Sequence, residues 1–416
     1  MKFKLKYGQE KVSVDVPEKN LMAELLPEDV EALKDPEAEV IRALAEPIES
    51  KKLKDLVSDT DQVVILASDI SRPSPSYLLL PPIVKELNSA GVKDKNIKIV
   101  FGLGVHRKQT EEEKKNLVGE EIYSRIECID HDVENCRNIG TTKRGTEIEI
   151  FDQVLDADFI IATGNLEYHY FAGFSGGAKA LAPGVCSRKT ILQNHQRFLD
   201  SLARGGQIEG NPVREEIEEI GEFVGIDFMV NAVLNSGKEL IKVVAGEVTA
   251  AHRKGKEYIE KIYQSEIDEL ADIVITTPGG MPKDIDLYQT HKAMENASLA
   301  VKKGGKIIIA AKCEDGLGED HFGDALTGGK TAQDLIDELE HDFILGRHKA
   351  SRIAMIHTES EISLVTSLSD DIKDKLFINI FDDLNSALED ALDELGDDAK
   401  ILVIPYGIST LPKLKE

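Results

Sequence analysis

Several short stretches bring together residues able to do acid–base, amine or anion chemistry. GLGVHR holds His106 and Arg107, and SDISRP holds Asp69 and Arg72. The block HYFAGFSGGAKALAPGV, residues 169–185, sets His169 and Lys179 among small and apolar residues, and ILQNHQ behind it adds His195. Further on, YQTHK supplies Tyr288, Gln289, His291 and Lys292, and CEDGLG follows. Imidazole titrates near neutrality, so histidine can give or take a proton. A lysine in a glycine-rich stretch offers one amine on a backbone that a bulky ligand can approach closely. Gly176 and Gly177 could form a backbone nest for a phosphate. SGGAK is no P-loop, however, because Ala180 stands where that motif needs Ser or Thr. No G-x-G-x-x-G follows a strand, so NAD binding of the usual kind is not expected. Each residue also has a plainer reading: a strand-end histidine can simply cap or hydrogen-bond, and Arg72 can brace its loop.

These stretches follow a repeated pattern. The apolar runs 61–69, 96–104, 157–165, 271–280, 304–312, 351–359 and 399–407 each suit a strand buried on both faces of a parallel sheet. Between them lie helical segments: PPIVKELNSAG, a segment opened by a Thr110/Glu113 capping-box pattern, and HKAMENASLAVKKGG with two lysines before its glycine stop. The run from about 200 to 265 reads as helix-rich, and 382–398 as a solvated amphipathic helix. MKFKLKYGQEKVSVDVP reads as a β-hairpin. The fold class is therefore α/β, with mainly parallel sheets flanked by helices. The expected domains are 1–266, carrying cofactor binding and catalysis, and a smaller 267–416 closing over the substrate, with the active site in the cleft between them. Ligands in such sheets bind beyond the carboxyl ends of the strands, where the residues above fall. His131, His252, His321, His341, His348 and His357 read as surface or structural.

The chain has 416 residues and a net charge of −26, which argues against nucleic acid as a partner. No signal-type run or membrane span is visible. The four cysteines form no C-x-x-C pair, so a cytoplasmic, reducing setting is expected.

The sequence resembles the nickel-dependent lactate racemase family, collinearly over nearly the whole chain. SDISRP, GLGVHR, EYHYFAGFSGGAKALAPGV with ILQNHQ, YQTHK and CEDGLG carry the likeness, and the block from His169 to His195 is the most specific. The resemblance implies a cofactor of the pyridinium-3,5-bis(thiocarboxylic acid) mononucleotide type, a pincer that holds nickel. It implies a covalent thioamide at Lys179 and nickel coordination by His195. His106 and His169 match the two catalytic histidines. Arg72, Tyr288, Gln289 and Lys292 match residues that hold the substrate carboxylate. Asp69, an acid near Arg72, falls with Gly176 and Gly177 on the cofactor side. The implied reaction is racemisation of a short 2-hydroxy acid by reversible hydride transfer, and cofactor-biosynthesis proteins are the implied maturation partners. Some members wall the substrate pocket with tryptophan; this chain has none, so a roomier pocket is expected. Malate, a longer hydroxy acid or a sugar acid is the alternative substrate. A non-catalytic binder of a phosphate-bearing ligand is the alternative function, though it would not need both histidines.

Overall fold

The structure is a computed structural model and describes every residue other than 29, 342, 343, 345 and 416. The chain divides into two compact units, Asp29–Ile262 and Met1–Glu28 with Tyr263–Glu416.

In the first unit a six-stranded sheet runs in the order Leu240–Gly246, Phe228–Leu234, Phe159–Leu166, Val63–Ser68, Ile97–Gly102, Glu127–Asp130. All neighbours are parallel except Leu240–Gly246, which returns antiparallel to Phe228–Leu234. Alternate side chains of the central strand feed two cores. Val63, Ile65 and Ala67 pack with helix Ser76–Ser89, while Val64 and Leu66 pack with Val185, Ile191 and Ile220. Burial on both faces is why the strand reads as a continuous apolar run rather than an alternating one. From Val63–Ser68 the chain proceeds to one side and later returns to pair Phe159–Leu166 on the other. That reversal opens a crevice at the carboxyl ends of these strands, the usual ligand position in such sheets.

The second unit has its own six-stranded sheet, in the order Asn379–Phe381, Glu361–Val365, Val301–Ala310, Ala271–Thr276, Ile401–Ile404, Leu21–Glu24, parallel throughout. The expected N-terminal hairpin is present, Lys2–Tyr7 against Glu10–Asp15. It does not belong with the segment that follows it. Phe3, Leu5, Val14 and Val16 pack on Ile273 and Ile275, and Leu21–Glu24 supplies an edge strand. The unit expected to begin at residue 1 therefore begins near residue 29, since the first 28 residues bury their apolar face on the other sheet.

Three local expectations are corrected. Residues 351–359 are not a strand: Arg347–Glu359 is a helix that buries Ala350, Ile353 and Ala354 at helical spacing, and the strand is the next segment, Glu361–Val365. The segment 200–265 contains two strands, one of them FMVNAVL, with Asn231 interrupting its apolar run. Helix Leu287–Ser298 ends before the two lysines, which lie on strand Val301–Ala310, where Lys302 pairs with Asp272 at 2.7 Å. The Thr110/Glu113 capping box and the helices Pro212–Val224 and Leu384–Leu395 form as read.

Candidate functional site

The loop after Val63–Ser68 turns sharply, with the Arg72 N–H donating to the Asp69 carbonyl at 3.1 Å. This buries the Asp69 carboxylate at 3 % exposure and leaves Arg72 exposed. The loop after Ile97–Gly102 brings His106 to the same place. Gly104 takes a φ of +55° there, and its N–H donates to the Gly184 carbonyl at 2.9 Å, seating this loop on the end of the glycine-rich block. His106 Nδ1 lies 2.6 Å from Asp69 Oδ2, and Ser71 Oγ donates to Asp69 Oδ1 at 2.6 Å. Burial alone would raise the Asp69 pKa. The hydrogen bonds from His106 and Ser71 and the nearby charges of His106 and Arg72 outweigh it, so the carboxyl stays below its usual range. A carboxylate accepts here, so His106 carries its proton on Nδ1 and presents a lone pair at Nε2.

The glycine-rich block begins with a two-strand ribbon, Tyr168–His169 against Gly173–Phe174. Gly173, at φ +73°, approaches Gln207 so closely that a Cβ would lie 2.0 Å from its carbonyl oxygen. The half-buried His169 accepts a hydrogen bond at Nδ1 from the Ala172 N–H, 3.2 Å, which puts its ring proton on Nε2. It stacks on Tyr170 and meets Phe171 edge-on at 4.5 Å. Phe171 in turn meets the His195 ring at 5.0 Å, so one phenyl ring touches both imidazoles. His195 ends helix Arg188–His195, whose first turn is capped by the Ser187 hydroxyl, and it is 8 % exposed.

Between these histidines, the Gly177 N–H donates to the Asn231 side chain at 2.8 Å and the chain makes a short turn, Gly177–Ala180, that presents Lys179. Lys179 is half-buried. Its amine is lowered to about 7, first by burial, then by the charges of Arg72 and Arg214, against the opposing pull of Glu167.

In the other unit Tyr288, Gln289 and Lys292 share the first turns of helix Leu287–Ser298. Asp286 caps it, accepting from the Gln289 N–H at 2.6 Å. Lys292 Nζ donates to Gln289 Oε1 at 2.9 Å, so these two heads are held together. The CEDGLG loop seats this helix: the Leu287 and Tyr288 N–H groups donate to Gly316 and Leu317 carbonyls, both at 3.1 Å. His291 is fully buried, with Nδ1 3.0 Å from the Tyr288 carbonyl, and serves packing.

The histidines read as surface or structural divide accordingly. His131, His252 and His348 are buried, His357 half-buried and His321 exposed, while the His341 side chain lies outside the described residues. Two polar groups under the glycine-rich loop have no place in the sequence reading, Arg214 and Asn231, and both are buried, as is His252 beside them. Asn231 left a signal, a lone amide inside an apolar strand. Lys349 was also missed; its Nζ lies 3.2 Å from the Tyr288 ring centre.

Comparison with known proteins bears on this arrangement. The lactate racemase N-terminal domain family matches residues 7–206 and the lactate racemase C-terminal domain family matches residues 267–411. The chain belongs to the lactate racemase family. It is 34 % identical to the lactate racemase of Thermoanaerobacterium thermosaccharolyticum over 98 % of both chains. It is 32 % identical to that of Lactiplantibacillus plantarum over 90 % of both. Its fold matches the lactate racemase apoprotein from T. thermosaccharolyticum with a TM-score of 0.88, at 32 % identity over 99 % of this chain and 100 % of that one. A Thermotoga maritima protein at 18 % identity shares the fold, TM-score 0.63, over 94 % of this chain and 100 % of its own. The relatives at 32 to 34 % identity are lactate racemases, isomerases acting on a hydroxy acid, and this chain shares the α/β fold of the T. thermosaccharolyticum apoprotein.

Proposed function

We propose that this chain racemises lactate or a close 2-hydroxy acid, with a nickel pincer mononucleotide held covalently on Lys179 and nickel ligated by His195. One observation carries the reading: a single loop set holds an Asp-paired histidine, a second histidine in the other tautomer and a lysine amine lowered to about 7. The fit to the cofactor rests on chemistry present in the chain. An amine near 7 is partly neutral at physiological pH and so nucleophilic. The buried imidazole of His195 is a donor that nickel accepts. When bound, the cofactor supplies an electrophilic centre for the substrate's α-hydrogen as hydride.

The chain's residues do the rest. His106 accepts the hydroxyl proton at Nε2, and Asp69 holds its ring and stabilises the resulting imidazolium. His169 serves the opposite face, giving a proton to the 2-keto acid that forms and taking it in the reverse direction. Arg72 carries a guanidinium suited to the substrate carboxylate, and in the other unit Gln289 and Lys292, held together beside Tyr288, are likewise suited to a carboxylate. Gly176 and Gly177, where a Cβ would strike Asn231 and His252, let the loop that presents Lys179 to the cofactor seat on those groups.

Intact-protein mass and nickel analysis of the chain purified from its own host test this reading. A mass adduct on Lys179 with stoichiometric nickel and racemisation of lactate supports it. Protein without adduct or nickel that still racemises lactate overturns it.

A further inference from the structure

His195 stands where its helix stops. It is the last residue of Arg188–His195, and a tighter helical turn, Gln196–Leu199, begins at the next position. The last carbonyls of a helix have no partner in its own ladder, so the helix by itself fixes a side chain there less firmly. Here the side chains that flank the imidazole are tied down instead, and both go to one group. Glu216, in helix Pro212–Val224, is fully buried. Asn194 Nδ2 donates to Glu216 Oε2 at 2.9 Å, and Arg197 Nε donates to the same oxygen at 3.0 Å. Thr142 Oγ1 donates to Glu216 Oε1 at 2.8 Å. Asn194 Nδ2 also donates to the Val213 carbonyl at 3.2 Å, and Arg197 Nη2 to the Arg144 carbonyl at 2.8 Å. The same helix holds the phenyl ring that meets His195: Asn211, its N-cap, donates from Nδ2 to the Phe171 carbonyl at 2.8 Å.

We propose that Glu216 is a positioning residue for His195, a buried carboxylate that clamps Asn194 and Arg197 and so fixes the imidazole between them for nickel ligation. The inference rests on the reading of His195 given above. The clamp needs the carboxylate form. All three side-chain partners donate, and an ionised carboxylate accepts at both oxygens. Glutamine would accept at one oxygen and turn two N–H groups toward donors at the other. Burial alone would raise the Glu216 pKa, but the hydrogen bonds from Arg197 and Asn194 hold it below its usual range. A buried ion pair adds little stability over apolar packing of the same volume, whereas it does impose a direction on the groups that it binds. The place of this one, with a tether on each side of the ligand, gives that direction a use.

The test holds loaded protein in excess EDTA. Remaining nickel is followed by metal analysis, and the Lys179 adduct by intact mass. Glu216→Gln should lose nickel about tenfold faster than wild type while keeping the adduct, as expected when the support of a metal ligand is removed. His195→Ala should also lose nickel faster. Added to His195→Ala, Glu216→Gln should cause no further loss, because the ring that it positions is gone. A carboxylate that served packing alone would change nickel loss in both backgrounds equally or in neither. A folded Glu216→Gln that keeps nickel like wild type therefore overturns the proposal, and so does an equal acceleration on top of His195→Ala. If Glu216→Gln does not fold, Asn194→Ala cuts the tether next to the ring in its place; it should lose nickel about tenfold faster, and wild-type retention overturns the proposal. Failure of the His195 reading is seen separately, as His195→Ala that holds nickel as firmly as wild type.

Discussion

His106 Nδ1 sits 2.6 Å from Asp69 Oδ2, with the carboxylate 3 % exposed and the imidazole 43 % exposed. This pairing orients one ring. Asp69→Asn keeps the shape and removes the charge. It should lower kcat by about 10²- to 10⁴-fold, with nickel content near wild type. Steady-state racemisation of both enantiomers checks this, and a kcat within about threefold of wild type would take Asp69 out of the acid–base apparatus.

His106→Ala and His169→Ala should each abolish racemisation in both directions, because inversion needs proton traffic on both faces. Neither should empty the metal site. Substantial residual racemisation in either variant contradicts a two-histidine scheme. The assay is polarimetry or chiral chromatography, with nickel measured on the same samples.

Lys179→Arg should lose adduct, nickel and activity together, although it keeps a cation, since guanidinium stays protonated and cannot be acylated. A lysine that merely bound phosphate would tolerate the change, because arginine also binds phosphate well. His195→Ala should differ in kind, keeping the adduct and holding nickel more weakly. Mass and metal analysis of loaded protein separates the two.

The lowered Lys179 pKa makes a prediction about stability of the cofactor-free protein. The folded amine titrates at about 7 and the unfolded one near the ordinary lysine value. Between those pH values the unfolded chain binds more protons, so stability rises with pH through that window. Below the folded pKa the cost of charging the amine is fully present. Lys179→Met should therefore stabilise the fold most near neutral pH and below, and least in the alkaline range. Thermal melts of the two proteins across pH check it, and a constant difference counts against a depressed amine.

Lys292→Met should raise KM for the hydroxy acid and lower kcat/KM by about 10- to 100-fold, the usual range for losing one hydrogen bond to a charged group. Gln289, which accepts from Lys292 at 2.9 Å, should show a smaller loss and partial coupling in the double variant. An unchanged KM in Lys292→Met would remove it from carboxylate binding.

Much of the frame was legible because burial on both faces leaves a plain mark. Runs such as VVILA and FIIA are apolar because both faces of their strands are covered. The strand at Phe228–Leu234 hides behind Asn231, and residues 351–359, inside the helix Arg347–Glu359, read as a strand because a short apolar run fits either period. Tertiary packing chose between them, through the contacts of Ala350, Ile353 and Ala354 with the neighbouring helix.

The sequence by itself determined the parallel α/β class, the hairpin, the capping box and the identity of the residues at the strand ends, since these depend on local pattern and on chemistry that a side chain carries wherever it sits. It also carried the family likeness. Only the tertiary structure decided that the first 28 residues join the later half, that Asp69 rather than another acid holds His106, and that Arg214, Glu218 and Arg253 form a cluster that Arg214 ties to the Phe174 carbonyl. Those facts arise from pairings between positions far apart in the chain. Such pairings leave no local pattern to read.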